Sequence, residues 1–232
     1  MSAQLDFGFR APAEQLVLDW AWGCAPARDE VVETPAMAPA LALIDAWPRW
    51  PGPAAILTGP AGSGKTHLAR VWAARAGAAS LSPERLDDLD PSALGARAVL
   101  VEDVGALSLG RRATAVGLFH LLNHVRGSGA SILLTARHAP APGTVALPDL
   151  DSRLRTASHA ALPVPDEALM RAVMAKLMAD RQLPLDDAVI DAGVARLDRS
   201  LGAVRDFVRR LDRRTLAERR PLPRRMALAV LG

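Results

Sequence analysis

Along the chain, short uninterrupted apolar runs alternate with longer stretches in which apolar residues recur at helical spacing. The runs at 54–58, 78–81, 98–101, 131–135 and 159–164 read as strands; that at 98–101 is apolar throughout, as a strand buried on both faces is, and 131–135 reads as another buried strand. Between them, helices are predicted over 13–22, 36–47, 64–76, 112–126 and 150–157, and the second of these is stopped by Pro48 and Pro51. Ser82-Pro83-Glu84 and Asp90-Pro91-Ser92 place proline in the first turn of two short helices. Residues 26–35 read as a loop that carries Val31-Val32, and 139–148 as a proline-rich loop.

From Pro165 the strand pattern stops. Helices over 166–182, 186–197, 200–218 and 223–231 follow one another with nothing between them but short connections. Strands alternating with helices, then helices alone, predict an α/β domain over 11–164 with a parallel five-stranded sheet flanked by helices, followed by a small all-α lid over 165–232. Residues 1–10 are too short for a core element, yet they carry Leu5, Phe7 and Phe9 beside Gln4. Spaced large apolar residues at a terminus read as a packed edge or as a docking peptide.

The chemistry concentrates between the first strand and its helix. Gly59-Pro60-Ala61-Gly62-Ser63-Gly64-Lys65-Thr66 fits G-x-x-x-x-G-K-[ST] in the strand–loop–helix setting that a phosphate loop requires. The glycines let backbone N–H groups converge on one anion, and the following helix, opening at His67, adds its positive end. Lys65 reaches the β- and γ-phosphates, and the Thr66 hydroxyl holds Mg²⁺. Of 28 basic residues only Lys65 and Lys176 are lysines, so a lysine in this loop stands out against an arginine background.

Such a loop needs a carboxylate for the metal at the end of a neighbouring strand. Glu102 and Asp103 close the apolar run 98–101; one serves Mg²⁺, directly or through water, and the other orients the attacking water. Thr135, ending the next buried run, is placed to touch the γ-phosphate or that water.

The remaining bulk features narrow the class. A chain of 232 residues that is 50% hydrophobic builds a sizeable core. A net charge of +3 does not by itself argue for nucleic acid, and the arginine-rich C-terminal segment reads first as solvated helix faces. One cysteine, Cys24, allows no internal disulfide and reads as a small buried hydrophobe. With no signal-peptide pattern and no apolar span long enough for a bilayer, a cytoplasmic protein without membrane contact is expected. His120 and His124 lie four apart on a helix but lack a third ligand.

Taken together, GPAGSGKTH, VLVEDV, ILLTARHAP, LPDLDSRLRTA and SLGAVRDFVRRL resemble the AAA+ ATPases, and within them the bacterial replication initiator DnaA and its shorter relative Hda. The resemblance implies ATP or ADP as ligand, Arg153 as an arginine finger delivered to a neighbour's nucleotide, Arg205 as the second sensor on this chain's own nucleotide, and Val31 and Val32 packed on adenine. The plainer reading of Arg153 is a surface arginine beside Asp149 and Asp151.

The initiator carries a further C-terminal helix-turn-helix domain, whereas this sequence stops at Gly232 directly after the lid pattern, which matches the shorter relative. Gln4-Leu5-Asp6-Phe7 is similar to the peptides that dock on the β subunit of DNA polymerase III, the sliding clamp. The implied function is restraint of initiation: clamp-bound, the chain promotes hydrolysis of DnaA-bound ATP, touching DNA only through the clamp. Subunit contacts, a homodimer among them, belong to that reading. Two departures, Glu102 in place of the family's leading Asp and Arg137 in place of an acid, point to weak hydrolysis by the chain itself. A loader or remodeller of another replication factor, and a nucleotide-gated adaptor with no hydrolytic role, are the competing readings.

Overall fold

The computed structural model describes residues 27–95, 97–105, 110–139, 141, 143–184, 186–218 and 223–231. The expected helix over 13–22, Cys24, and the terminal Gln4, Leu5 and Phe7 lie outside them. The strands are β1 (Ala54–Thr58), β2 (Ala79–Leu81), β3 (Ala98–Val101), β4 (Ser131–Ala136) and β5 (Ser158–Ala161), joined in one parallel sheet in the order β2-β3-β4-β1-β5. The register runs from Ala54 opposite Ile132 to Thr58 opposite Ala136, and from Ala98 opposite Ser131 to Val101 opposite Leu134.

The sequence dictates this sheet through burial. Every residue of β1 and β3 is buried, which only a sheet covered on both faces can arrange. On one face, Ala54, Ile56, Val99, Val101, Ile132 and Leu134 pack with Leu118, Leu121 and Val125 of α3 (Arg112–Ser128) and with Leu150 and Leu154 of α4 (Pro148–Thr156). Each such leucine or valine stabilises the fold by about 1.5–3 kcal/mol. The alternate residues Ala55, Leu57, Leu100 and Leu133 are fully buried too, as are Leu68, Ala69 and Trp72 of α2 (Lys65–Ala76). Trp72 stacks on Trp50 at 5.5 Å and meets Trp47 edge-on at 6.1 Å.

Two boundaries differ from the sequence expectation, at the start of the helix expected from residue 36 and at the end of β5. The helix expected from residue 36 begins as a 3₁₀ turn at Pro35–Met37 and becomes α1 (Ala38–Ala46) only afterwards. The 3₁₀ turns Pro83–Leu86 and Pro91–Leu94 stand where short helices are predicted. β5 ends at Ala161, short of 164, because Pro163 has no N–H to give a ladder.

By the clustering of its contacts the chain forms two compact units. One comprises Leu41–Thr58, Thr66–Ala160 and the described residues up to Glu30; the other comprises Val31–Ala40, Gly59–Lys65 and the chain from Ala161 onward. The helices of the second unit are α5 (Glu167–Ala179), α6 (Asp187–Arg196), α7 (Leu201–Glu218) and α8 (Arg224–Leu228). Asp166 and Asp186 cap α5 and α6, accepting from the N–H groups of Leu169 at 2.7 Å and Ala188 at 2.9 Å. Met170, Met174, Ile190, Val204, Phe207 and Val208 form its core. Among the described residues no helix is long and apolar enough to cross a membrane.

Candidate functional site

The chain leaves β1 toward β2 on one side, while its neighbour β4 leads to β5 on the other. Ligands of parallel α/β sheets bind at the carboxyl ends of strands where the direction of winding reverses. Thr58, at the end of β1, is followed at once by the glycine loop.

The loop is made by backbone geometry. Gly62 has φ +74°, a left-handed conformation that side chains resist. A Cβ there would lie 2.0 Å from Ser200 Oγ and 2.6 Å from Ser200 Cβ. The Leu201 N–H donates to the Gly62 carbonyl at 2.8 Å. Ser200 in turn accepts from the N–H groups of Gly202 at 3.1 Å and Ala203 at 3.4 Å, so the residue that caps α7 also covers the loop. At Gly59, a Cβ would meet the Leu162 carbonyl oxygen at 2.5 Å. Pro60 carries the loop's carbonyl acceptor for the Ser63 N–H at 3.3 Å.

Two side chains in the loop are buried although polar. Lys65 is 9% exposed and its ammonium donates to the Pro60 carbonyl at 2.8 Å. Ser63 is 1% exposed, and its Oγ has no hydrogen-bond partner. A cradle that Cβ atoms would fill, an orphaned buried hydroxyl and a buried lysine fit a phosphate group. Ala61, Thr66 and His67 are exposed, and Gly64 is half-buried. Val31 is buried and Val32 half-buried, in the same unit as the loop. Arg205, on the second turn of α7, is exposed with its Nε 3.9 Å from Asp206.

The acid turn after β3 is held by β4. Asp103 sits at φ +57°, and its N–H donates to Thr135 Oγ1 at 2.9 Å. The next N–H, of Val104, donates to the Thr135 carbonyl at 2.7 Å. Thr135 is 2% exposed, so its hydroxyl and carbonyl together fix a strained residue. Asp103 is thereby turned outward and exposed. Glu102 is half-buried, and its Oε1 accepts from Arg70 Nε at 3.2 Å. That pairing was not legible beforehand, because Arg70 lies 32 residues away in sequence.

Arg153 rests its guanidinium over the Phe119 ring, 4.7 Å from the centroid. The expected neighbours do not claim it. Asp151 pairs instead with Arg155, one helical turn on, and among the described residues no carboxylate pairs with Arg153. The ring is packed against the core of the sheet unit, as are Leu150 and Leu154 on either side of Arg153. Phe119 was not singled out from the sequence, because its contact with Arg153 joins two separate helices. Among the described residues no cluster of three or more metal-ligating side chains occurs, His120 and His124 included.

No protein-family model matches the sequence, and no curated protein matches it. Solved structures do resemble it. Domain III of the replication initiation protein DnaA from Thermotoga maritima has a TM-score of 0.75 at 19% identity, covering 90% of this chain and 96% of that one. AMPPCP-bound DnaA from Aquifex aeolicus has a TM-score of 0.68 at 16% identity, covering 85% and 70%. The RuvB Holliday junction branch migration motor of Thermotoga maritima has a TM-score of 0.63 at 15% identity, covering 89% and 71%. The fold is that of an α/β P-loop AAA+ protein.

Proposed function

We propose that the chain is an Hda-type regulator of DNA replication initiation that presents Arg153 to ATP held by DnaA. The observation that carries this reading is the state of Arg153: a guanidinium stacked on a ring, with no carboxylate of its own to neutralise it. Charge developing on transferring phosphates is met by such an arginine from a neighbouring subunit. A face-stacked guanidinium keeps its edge N–H groups available for phosphate oxygens.

In this reading the chain's own nucleotide, ATP or ADP, lies on Gly59–Thr66, with Val31 and Val32 against the base and Arg205 as the second sensor. Support comes from the cradle at Gly59 and Gly62, the buried Lys65 and the orphaned Ser63 hydroxyl. The AMPPCP of the Aquifex DnaA is an analogue of this ligand. Thr66 and Glu102 would hold Mg²⁺, which when bound neutralises charge on the phosphates. Glu102 is already paired with Arg70, and Thr135 is engaged with the Asp103 backbone; both support slow hydrolysis by the chain itself. Gln4, Leu5 and Phe7 tether the chain to the sliding clamp, so that initiation is restrained once the clamp is on DNA.

The test is hydrolysis of DnaA-bound ATP in the presence of clamp-loaded DNA. Arg153→Ala lowers the stimulated rate by about 10³-fold or more while leaving nucleotide binding by the chain intact. Gln4→Ala with Leu5→Ala removes stimulation only where the clamp is required. An Arg153→Ala protein that stimulates as well as wild type ends the finger reading.

A further inference from the structure

The α7 helix carries a feature that neither the nucleotide nor Arg153 uses. Its buried side is Val204, Phe207, Val208 and Leu211. Around the rest of the helix Arg209, Arg210, Arg213 and Arg214 are all exposed, and Leu216, on the side of Arg209 and Arg213, is 69% exposed. Arg209 pairs with Asp206 at 3.0 Å. Arg210, Arg213 and Arg214 have no carboxylate partner among the described residues.

A merely solvated helix face is usually laced with opposite charges one turn apart. This protein does that elsewhere: Asp151 with Arg155, and Lys176 with Asp180, are such pairs. On α7 such pairs are mixed with like charges: Asp206 pairs with Arg209, and Asp206 and Glu218 stand one turn from Arg210 and Arg214. Arg209 and Arg213, and Arg210 and Arg214, are like charges at the same spacing, which destabilises an isolated helix. The repulsion is relieved by a polyanion laid along the helix.

We propose that the exposed face of α7 is a contact surface for duplex DNA, engaging backbone phosphates through Arg210, Arg213 and Arg214. Arg210, Arg213 and Arg214 fall within about one turn of the helix, roughly 6 Å along its axis. That is a compact cluster of forks, and guanidinium is the side chain suited to bidentate phosphate contact. A protein partner fits less well. Interface cores are depleted of charge and anchored by aromatic side chains, and this face has no aromatic residue. The proposal goes beyond the clamp-tethered reading, since it gives the chain a direct contact with DNA, and it is independent of Arg153.

The test uses the full chain and a fluorescent duplex of arbitrary sequence, with binding followed by anisotropy across a salt titration. Wild type binds with a dissociation constant of about 10⁻⁴–10⁻⁶ M, and log K falls with log salt. R210A/R213A/R214A weakens binding about 10-fold or more and makes the salt slope shallower by about 2.7, three phosphate contacts at roughly 0.9 each. R112A/R126A/R196A, which removes the same charge from exposed sites elsewhere, retains the wild-type slope. Equal loss in both triple variants, or none in the α7 variant, overturns the proposal. So does an α7 variant that binds DNA normally yet loses stimulation of DnaA, because the face then serves a protein. Arg153→Ala binds the duplex like wild type, so failure of the finger reading and failure of this one are read separately.

Discussion

The glycine loop and the Phe119 shelf each hold one cation, and they hold it by different means. Lys65 is buried, and its ammonium is drawn back onto a carbonyl of its own loop at 2.8 Å. Arg153 lies half-buried over the face of a ring, with Asp151 of its own helix paired to Arg155. The loop is shaped by backbone conformations that leave no room for a Cβ at Gly62. The shelf is shaped by side chains, one aromatic and two leucines, packed on the sheet. A cation held by its own backbone suits a ligand that enters and stays, whereas one resting on a ring is free at its edge to meet something arriving from outside. The difference is the one the proposed function calls for, in which the chain's own nucleotide is structural and its chemistry is exported.

The largest expected effect tests the loop. Lys65→Ala removes charge-assisted hydrogen bonds to phosphate, each contributing about 1.5–3 kcal/mol, so ATP and ADP binding weaken about 100-fold or more in calorimetry. A variant with unaltered nucleotide affinity would remove the phosphate-loop half of the comparison.

Next in size is a change to the shelf's foundation. Gly117 lies one turn of α3 before Leu121, and a Cβ there would come 1.8 Å from the Leu86 carbonyl oxygen. Backbone cannot yield as a flexible side chain can, so Gly117→Ala is expected to destabilise the protein by about 3 kcal/mol or more in denaturant titration. Since α3 carries Phe119, stimulation of DnaA should fall with it at temperatures where the variant is still folded.

These two regions were not equally legible in the sequence. The loop was readable residue by residue, because its chemistry is local: eight consecutive positions determine the backbone, the lysine and the hydroxyl. The strands at 54–58 and 98–101 were also readable, because burial on both faces demands continuous apolar runs. The shelf was not. Phe119 and Arg153 are 34 positions apart, and nothing in either segment announces that α3 and α4 bring them together. The same holds for Arg70 with Glu102 and for Thr135 with Asp103, whose meeting depends on strand order. Strand order arises from which neighbours bury most surface, and a single strand's composition does not encode it. The terminal residues Gln4, Leu5 and Phe7 stay a sequence-level proposal.

A smaller effect concerns how the sheet unit is fastened ahead of the loop. Arg28 forks onto Asp45, Nε to Oδ1 at 2.9 Å and Nη2 to Oδ2 at 2.6 Å. The Arg28 hydrogen bond holds the Asp45 carboxyl below its usual range, opposing the effect of burial. A carboxylate with a lowered folded pKa stabilises above its unfolded pKa, about 3.9, and loses that contribution as pH falls through the folded value. Asp45 is 41% exposed, so solvent screening keeps the effect to about 1 kcal/mol or less. Asp45→Asn should therefore be slightly less stable than wild type at pH 7 and equal to it at strongly acid pH. A gap that widens on acidification would contradict this.

The smallest change is the sharpest for the comparison, because it removes the ring without touching the cation. Phe119→Leu keeps an apolar side chain on the core and deletes the face on which Arg153 lies. A cation–π contact at a partly exposed site contributes about 0.5–1 kcal/mol, so the maximal rate of stimulated hydrolysis should fall about 2–5-fold. The concentration giving half-maximal stimulation should not move, since orientation of the guanidinium and not docking is altered. Phe119→Trp, with the stronger π face, should keep the maximal rate. Nucleotide binding by the chain's own loop should be the same in all three proteins. If Phe119→Leu instead shifts the half-maximal concentration and leaves the ceiling alone, the ring touches the partner directly, and Arg153 is held in place by something other than the shelf.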